Sequence, residues 1–435
     1  MPLTNNGLRL RFLIGLALVA GGAGAFAIVF RASLAALYSG VYGAENVVDA
    51  ITRLPPWMRL LVPVVAAAGA GTIARFRSAR TQGVSNVMEA IALGHVQLSL
   101  RSTMSRVASS WVAIAGGLSI GREGPMVEVG GALGAAVSRL VTMPLNETRV
   151  LVAAGVAAGF AAAYNTPFAG SLFVLETIAG VAAPTLLLPV MAATVGATAM
   201  LRATAGASPI YGQRAFGLES YGELLSFAGL SLAAAALALV FKTMLAVLEH
   251  WFDMHPMPQP FRATLGGLLV GVIAMWLPTV AGNGYEPLNQ LLDSRIAVGG
   301  VVVLAIAKMA ATSGSVASGI PGGIFTPMLL VGAALGAGWS NIPWIGVSSN
   351  TGTYALVGMA AATAASIHAP LTAAVMVFEL SGDYLIALPL ILATVVATAA
   401  SKALGDESVY EKELRKRGLG WEITLEGRQL KDAQE

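Results

Sequence analysis

The sequence predicts an all-α integral membrane protein built from two related halves. Hydrophobic residues make up 56% of the 435 residues and charged residues only 11%, a composition that does not suit a water-facing surface. The mean hydropathy of +0.73 agrees with a membrane location. Helices are the expected spanning elements because a crossing helix needs about 20 apolar residues, whereas the strict alternation of barrel strands is missing.

Two pairs of matching segments identify the halves. Residues 121–134, GREGPMVEVGGALG, return at 323–336 as GIFTPMLLVGAALG. Residues 155–176 return in altered form at 358–379. The first pair is offset by 202 residues and the second by 203. Two independent matches at nearly one offset indicate an internal duplication.

The duplication sets the expected domain organisation. We expect a membrane domain over residues 1–405, with repeat one at about 10–205 and repeat two at about 220–405. The polar segment 202–223 is the expected linker between them. Residues 406–435 carry dense charge of both signs and are too few to bury a core of their own. We therefore expect a short, charged, solvated tail in the cytoplasm and no regulatory domain.

Apolar stretches follow one another along both halves. The candidate spans, in chain order, are residues 10–30, 60–73, 186–201, 224–248, 261–277, 301–311 and 385–403. Glycine and proline cut the regions 116–135, 155–180, 314–338 and 358–382 into pieces that could cross only half a bilayer. Short, interrupted helices at matching places in two halves indicate a transport site. Close helix packing is the alternative explanation for most of the glycines.

Charge and metal-binding residues exclude several classes of protein. The net charge of +3 reflects basic loop and terminal residues and gives no sign of a nucleic-acid surface. Arg9 and Arg11 precede the first apolar stretch and predict a cytoplasmic N-terminus. With no cysteine and four scattered histidines, we expect no metal site, no cofactor and no enzymatic activity. A membrane-embedded enzyme or scaffold and a cation transporter are the rival classes.

Four prolines mark helix starts that could bind an anion. Pro125, Pro167, Pro327 and Pro370 each fit the first turn of a helix, where a missing N–H costs nothing. The free N–H groups of such a turn carry about half a positive elementary charge. Several starts directed at one point would bind an anion without a full positive charge. A cation path would need carboxylates or carbonyl groups instead.

An ionisable pair, Arg122 and Glu123, lies in the first junction. An ionisable residue at membrane depth is a candidate functional residue. Neutralisation of Arg122 is the alternative role for Glu123, but the second junction carries Ile324 and Phe325 in this region and no charge. We predict that Glu123 occupies the anion site when ionised and withdraws when protonated, because two negative charges disfavour each other in one low-dielectric site.

Three segments resemble the signature regions of the CLC chloride channels and chloride/proton antiporters. They are residues 121–125 (GREGP), 323–327 (GIFTP) and 370–384 (PLTAAVMVFELSGDY). The resemblance covers about residues 10–405, and 163–173 (AYNTPFAGSLF) is most similar to the bacterial ClcB-type branch. It implies a CLC-type fold of two inverted-topology repeats with many tilted and broken helices. It also implies a homodimer in the bacterial inner (plasma) membrane, with both termini cytoplasmic, that moves chloride and protons across the lipid bilayer.

The resemblance assigns roles to individual residues. Glu123 corresponds to the external gating glutamate, the amides of Ile324 and Phe325 to the donors for the central anion, and Tyr384 to an intracellular hydroxyl donor. An interfacial tyrosine is the alternative role for Tyr384. The full anion-binding set implied is Gln82, Gly83, Arg122, Gly124, Ile324, Phe325 and Tyr384.

The first anion loop departs from the family pattern. The family usually has Gly-Ser-Gly-Ile-Pro, whereas residues 81–85 read TQGVS and place Gln82 near the serine position. The choice among chloride, nitrate and fluoride is therefore open. Asn86 and Glu89 resemble a capping pair, which would preserve the helix start after this loop.

The internal proton path also departs from the pattern. Antiporters of the family often carry a glutamate directly after the position of Glu176, and this chain has Thr177. Glu176 or water could carry the proton, or coupling could be absent. Chloride/proton exchange gated by Glu123 is our preferred interpretation, with a passive voltage-gated chloride channel or transport of fluoride or nitrate as alternatives.

Overall fold

The computed structural model describes residues 6–75, 84–93, 98–179, 184–212, 214–218, 220–342, 350–416, 418–424 and 427–432. In chain order its α-helices are α1 (Asn6–Tyr42), α2 (Val47–Arg53), α3 (Pro56–Arg75), α4 (Val84–Leu93), α5 (Leu100–Ala115), α6 (Glu123–Leu140), α7 (Leu145–Tyr164), α8 (Pro167–Val174), α9 (Pro184–Ala205), α10 (Glu223–Met254), α11 (Gln259–Trp276), α12 (Tyr285–Leu292), α13 (Val298–Ala317), α14 (Phe325–Trp339), α15 (Thr351–Ile367), α16 (Pro370–Ser381), α17 (Ala387–Ala403) and α18 (Val409–Arg415). A π-helical turn (Leu175–Ala179) follows α8, and 3-10 turns lie at Pro278–Val280 and Tyr384–Ile386. After α18, β1 (Leu419–Thr424) pairs antiparallel with β2 (Gly427–Asp432). The fold is otherwise helical, as the sequence predicts.

Six helical segments of the described chain are long and apolar enough to cross a membrane. They are Asn6–Arg53, Pro56–Arg75, Thr185–Ala205, Glu223–Met254, Val298–Ala317 and Tyr384–Ala403. Each contains one of the predicted stretches, while the stretch at 261–277 forms α11 and is not among the six. Three apolar helices are shorter, at Pro167–Ile178, Phe325–Trp339 and Pro370–Ser381. These are short helices of the kind expected from the glycine and proline breaks.

The two halves repeat one helical order and meet at equivalent residues. The succession α6, α7, α8 returns as α14, α15, α16, in agreement with the sequence repeat. Gly121 and Gly323 form an antiparallel pair. The Gly121 N–H donates to the Gly323 carbonyl at 2.7 Å, and the Gly323 N–H donates to the Gly121 carbonyl at 3.1 Å. Antiparallel pairing of equivalent residues places a local two-fold axis between the halves, as an inverted repeat requires.

Glycines bring the central helices into backbone contact. A Cβ at Gly130 on α6 would overlap the Gly155 carbonyl on α7, and a Cβ at Gly155 would overlap the Gly130 carbonyl. Gly332 and Gly358 repeat this arrangement between α14 and α15. Helices α7 and α15 are buried along most of their length. Close packing therefore explains these glycines, and it fixes the junctions that precede α6 and α14.

The segment after α17 departs from the predicted solvated tail. Asp406 forms an ion pair with the buried Lys242 of α10, whose ammonium also donates to the carbonyls of Ala365 at 3.3 Å and Glu407 at 2.9 Å. Leu414 of α18 is fully buried. The prediction is wrong for residues 406–416 because their charged side chains find partners in the helical domain.

The first anion loop precedes α4. This helix begins at Val84, so a helix start is present as predicted. Asn86 is the third residue of this helix, three positions past the one that would be its cap, so the predicted capping pair with Glu89 is wrong in position. Gln82 and Gly83, predicted to bind the anion, lie outside the described residues.

Candidate anion site

The Glu123 carboxylate lies at the start of the equivalent helix in the other half. The Phe325 N–H donates to its Oε1 at 2.9 Å, and the Thr326 N–H lies 3.4 Å from the same oxygen. The Thr326 hydroxyl donates to Oε2 at 3.1 Å. The side chain is buried, with 3% of Glu123 exposed. A negative group is therefore held by the first turn of α14.

The two junctions are shaped for this contact. Pairing of Gly121 with Gly323 sets the starts of α6 and α14 side by side. A Cβ on either glycine would collide with the Glu123 carboxylate, so glycine at both positions gives the carboxylate room. Pro327 is the third residue of α14, where its missing N–H leaves no hydrogen bond unmade.

Backbone dipoles and a hydroxyl hold the carboxylate without a cation. Within the described residues, no ion pair joins Arg122 to Glu123. The Arg122 guanidinium instead lies over the Tyr285 ring, 4.9 Å from its centroid. Neutralisation of Arg122 is thus not the role of Glu123. A site of this kind can bind an anion and still release it.

The amides of Ile324 and Phe325 as donors to an anion stay a prediction. The amides that hold the Glu123 carboxylate are those of Phe325 and Thr326, and Ile324 is the N-cap residue of α14. Gly124 packs against the second junction, since a Cβ there would lie 3.5 Å from the Gly323 nitrogen. Gly124 therefore lies beside the second junction, and its role in anion binding stays a prediction.

A hydroxyl and an aromatic row extend from the Glu123 contact. The Tyr164 hydroxyl lies 2.8 Å from Thr326 Oγ1. The Phe325 ring meets Phe160 edge-on at 5.4 Å between centroids. Phe160 stacks on Phe173 at 4.4 Å. These contacts tie the site to α7 and α8, which belong to the opposite half from α14.

The prediction that Tyr384 reaches this site is wrong. Its side chain is 78% exposed, and its ring contacts Phe378 at 6.3 Å. Tyr384 begins a 3-10 turn at the end of the signature segment, where the backbone directs it outward. The exposure fits the alternative role of an interfacial tyrosine.

Tyr410 is the tyrosine that sequence reasoning missed. It lies on α18, and its ring contacts Phe173 at 5.9 Å, which continues the aromatic row. Burial raises the pKa of the Tyr410 phenol, and the negative Glu123 carboxylate raises it further, so the two lie within electrostatic reach. The capping box of Ser408 and Glu411 was a readable signal for this helix. The charged residues around it concealed Tyr410.

Glu176 and Thr177 do not contact the Glu123 carboxylate. Glu176 is buried and accepts the N–H groups of Leu371 at 3.0 Å and Thr372 at 2.6 Å, at the start of α16. The Thr177 hydroxyl donates to the Phe173 carbonyl one turn earlier. The Pro370 helix start is therefore occupied by a carboxylate and is not directed at the anion, which corrects our expectation.

The Pro167 start is occupied in the same way. There the Glu379 carboxylate accepts the N–H groups of Phe168 and Ala169. Of the four proline-marked starts, only the pair at α6 and α14 meets at the candidate site. In the described part of the chain, no group of three or more His, Asp or Glu side chains could hold a metal ion.

Comparison with known proteins places this chain in a family of chloride channels. The family model described as voltage gated chloride channel matches residues 64–402. A ClcB-like chloride channel protein of Ralstonia nicotianae is 37% identical over 415 residues, which are 92% of this chain and 96% of the relative. The voltage-gated ClC-type chloride channel ClcB of Citrobacter koseri is 30% identical over 84% of this chain and 89% of its own length.

Solved structures support the same fold. A slow cyanobacterial Cl⁻/H⁺ antiporter superposes with a TM-score of 0.83 at 22% identity, covering 94% of this chain and 98% of that one. A CLC-type fluoride/proton antiporter superposes with a TM-score of 0.71 at 19% identity, covering 93% and 96%. The fold and the site thus define a CLC-type membrane transport protein. The chain belongs to the voltage-gated chloride channel (CLC) family, in its ClcB branch.

Proposed function

We propose that this chain exchanges chloride for protons across the membrane, with Glu123 as the gate. The observation that carries the proposal is the hydrogen bonding of the Glu123 carboxylate by the first turn of α14. A chloride ion has the same charge as this carboxylate and uses the same kind of donor. Chloride and the ionised side chain therefore compete for one site.

Protonation of Glu123 would release the site. A neutral carboxyl group loses the charge-assisted part of its bonds to Phe325 and Thr326, and such bonds are roughly twice as strong as neutral ones. The protonated side chain can then leave the helix start and take its proton with it, while an anion enters. One side chain thus opens the path and carries the exchanged proton.

Tyr410 is the proposed donor on the other side of the site, in place of Tyr384. Its ring ends the aromatic row that starts at Phe325, and it lies in the field of Glu123. A phenol O–H can donate to an anion and carries no charge that would trap it. We therefore extend the proposed transport domain beyond residue 405 to include α18.

Two solved structures support exchange and leave the transported anion open, whereas the curated relatives are named as chloride channels. Two structures with this fold are described as Cl⁻/H⁺ and fluoride/proton antiporters. A passive voltage-gated channel is the second candidate, since Thr177 stands where many antiporters carry a proton-transfer glutamate. We further propose a homodimer in the bacterial inner membrane with cytoplasmic termini and no enzymatic activity.

Flux measurements in liposomes test the proposal. With an imposed chloride gradient, purified protein should move protons uphill, and Glu123→Gln should abolish proton movement while chloride still flows. Asp253→Asn is the control, because the exposed Asp253 pairs with Arg262 at 3.2 Å and contacts no residue of the proposed path, and it should change neither flux. Chloride flux without proton movement would establish the channel alternative. Protein that moves no anion would overturn both.

A further inference from the structure

We propose that Arg31 and Arg122 form a second anion site, which receives the transported anion before it reaches Glu123. The inference rests on the proposed transport function and adds a binding step to it. Arg122 directly precedes Glu123 in the chain and lines a cavity of about 250 Å³. Arg31 of α1 lines the same cavity. The remaining polar lining includes Tyr38, Asn46, Asn283 and Tyr285.

The two guanidinium groups are not neutralised by ion pairs. Arg31 and Arg122 line one cavity, and neither has an ion-pair partner among the described residues. Arg122 Nε is buried without a hydrogen-bond partner. Two like charges at a partly buried site are unfavourable unless a counter-charge joins them. A mobile anion in the cavity would supply that charge.

Acidic residues at the cavity limit the charge of the ligand. Glu286 lines the cavity and lies in the fields of Arg122 and Lys308. Lys308 is fully buried and donates to the carbonyls of Val280 at 2.9 Å and Gly282 at 2.7 Å. Its charge offsets that of Glu286. Glu45 also lines the cavity but is exposed. This balance of positive and negative side chains around the cavity suits a singly charged anion better than a doubly charged one.

The size of the cavity indicates how the anion is held. A water molecule in the liquid takes up about 30 Å³, so a cavity of about 250 Å³ has room for an ion with part of its water shell. Such binding is weak and fast. A cationic site before a narrow path raises the local anion concentration and the rate of entry. We infer that the ligand is a small inorganic monovalent anion, the same ion that is transported.

A charge series at Arg31 tests the inference. In oriented proteoliposomes, Arg31→Gln should raise the half-saturating chloride concentration on the cavity side roughly three- to tenfold, and leave the maximal rate and the opposite side unchanged. Arg31→Lys keeps the charge and should remain near wild type. Arg53→Gln is the matched control, since this exposed arginine does not line the cavity.

The outcomes separate this inference from the proposed function. Active transport with unchanged half-saturation in Arg31→Gln, or equal effects of Arg31→Lys and Arg31→Gln, would overturn the second site alone. Wild-type protein that moves no anion would overturn the proposed function. If Arg31→Gln does not fold, bromide diffraction on the wild type decides the question. Anomalous density between the two guanidinium groups is expected, and its absence at saturating bromide would refute the site.

Discussion

Glu176 and Glu379 hold equivalent positions in the two repeats, and each caps the first turn of a helix in the opposite half. Glu176 follows α8 and accepts two N–H groups at the start of α16, at 3.0 and 2.6 Å. Glu379 lies on α16 and accepts two N–H groups at the start of α8, at 3.1 and 2.8 Å. The reciprocal caps join the halves, and they satisfy helix starts that would otherwise attract an anion.

We predict that Glu176→Gln and Glu379→Gln each destabilise the protein, to similar extents. Each change removes a negative acceptor from two amides at a positive helix end and leaves one amide facing an NH₂ group. The expected loss is about 1–3 kcal/mol for each variant. Thermal unfolding in detergent, followed by gel filtration, measures it.

Transport by these variants distinguishes a cap from a proton carrier. If Glu176 acts only as a cap, the Glu176→Gln variant should keep the wild-type ratio of chloride to proton flux. Loss of proton movement alone, with stability retained, would contradict the capping role. It would assign Glu176 to the internal proton path instead.

Thr326→Val should weaken the hold on the Glu123 carboxylate. The hydroxyl at 3.1 Å is one of its three donors, and a hydrogen bond to a charged group contributes about 1.5–3 kcal/mol. An anion in the same site would lose the same donor. In the Glu123→Gln background, where no carboxylate competes, Thr326→Val should therefore lower the chloride affinity in calorimetric titration about tenfold or more. Thr326→Ser keeps the hydroxyl and should retain the affinity of that background. Equal affinity with and without Thr326→Val would contradict the prediction.

The buried pair of Lys242 and Asp406 should stabilise α18 and with it Tyr410. Asp406→Leu leaves the Lys242 side chain, which is 4% exposed, without its counter-charge, and breaking a buried pair costs about 3–5 kcal/mol. The double variant Lys242→Met, Asp406→Leu should recover most of that stability, since an apolar pair needs no desolvation of charge. Unfolding of the four members of the cycle measures this. Additive losses would argue against direct coupling.

Gly130→Ala should prevent correct folding, whereas Gly21→Ala should be tolerated. A methyl group at Gly130 collides with the Gly155 carbonyl. The atoms nearest to it are all backbone atoms, so no flexible side chain can move aside. No atom lies within 4 Å of a Cβ at Gly21, which makes it the matched control. Gel filtration should show aggregation for Gly130→Ala and a single peak for Gly21→Ala. A single peak for both would mean that α6 and α7 can separate at little cost.

The ion pair of Arg214 and Asp293 predicts a pH-dependent contribution to stability. The Arg214 Nε donates to Asp293 Oδ1 at 2.6 Å, and this hydrogen bond holds the pKa of Asp293 below its usual value. A depressed carboxyl pKa stabilises the fold above the unfolded pKa of about 3.9 and loses that effect as pH falls through the folded pKa. Because the pair is partly exposed, we expect about 0.2–1 kcal/mol.

Unfolding of Arg214→Gln at several pH values checks this contribution. The variant should be less stable than wild type at pH 7, and the difference should shrink towards zero as the pH falls below about 3.9. Arg295 also lies 3.4 Å from Asp293 but is largely exposed, so Arg295→Gln is a control with a smaller effect. A difference that stays constant with pH would contradict the assignment.

The sequence by itself determined the membrane class, the duplication and the short central helices, and it singled out the candidate gate. Each depends on local information: apolar runs, a repeated pattern, prolines that fit only the first turn, and a lone carboxylate at Glu123. Glycine and proline act on the backbone where they stand, so helix starts at Pro167 and Pro370 could be placed without knowing the fold.

Only the tertiary structure decided which groups meet. It set Tyr410 in place of Tyr384 beside the aromatic row, made Thr326 the second donor, and turned Glu176 and Glu379 into caps. These contacts join residues that are far apart in the chain, and most of them cross between the halves. No local pattern fixes such contacts, because they depend on how two folded repeats pack about their shared axis.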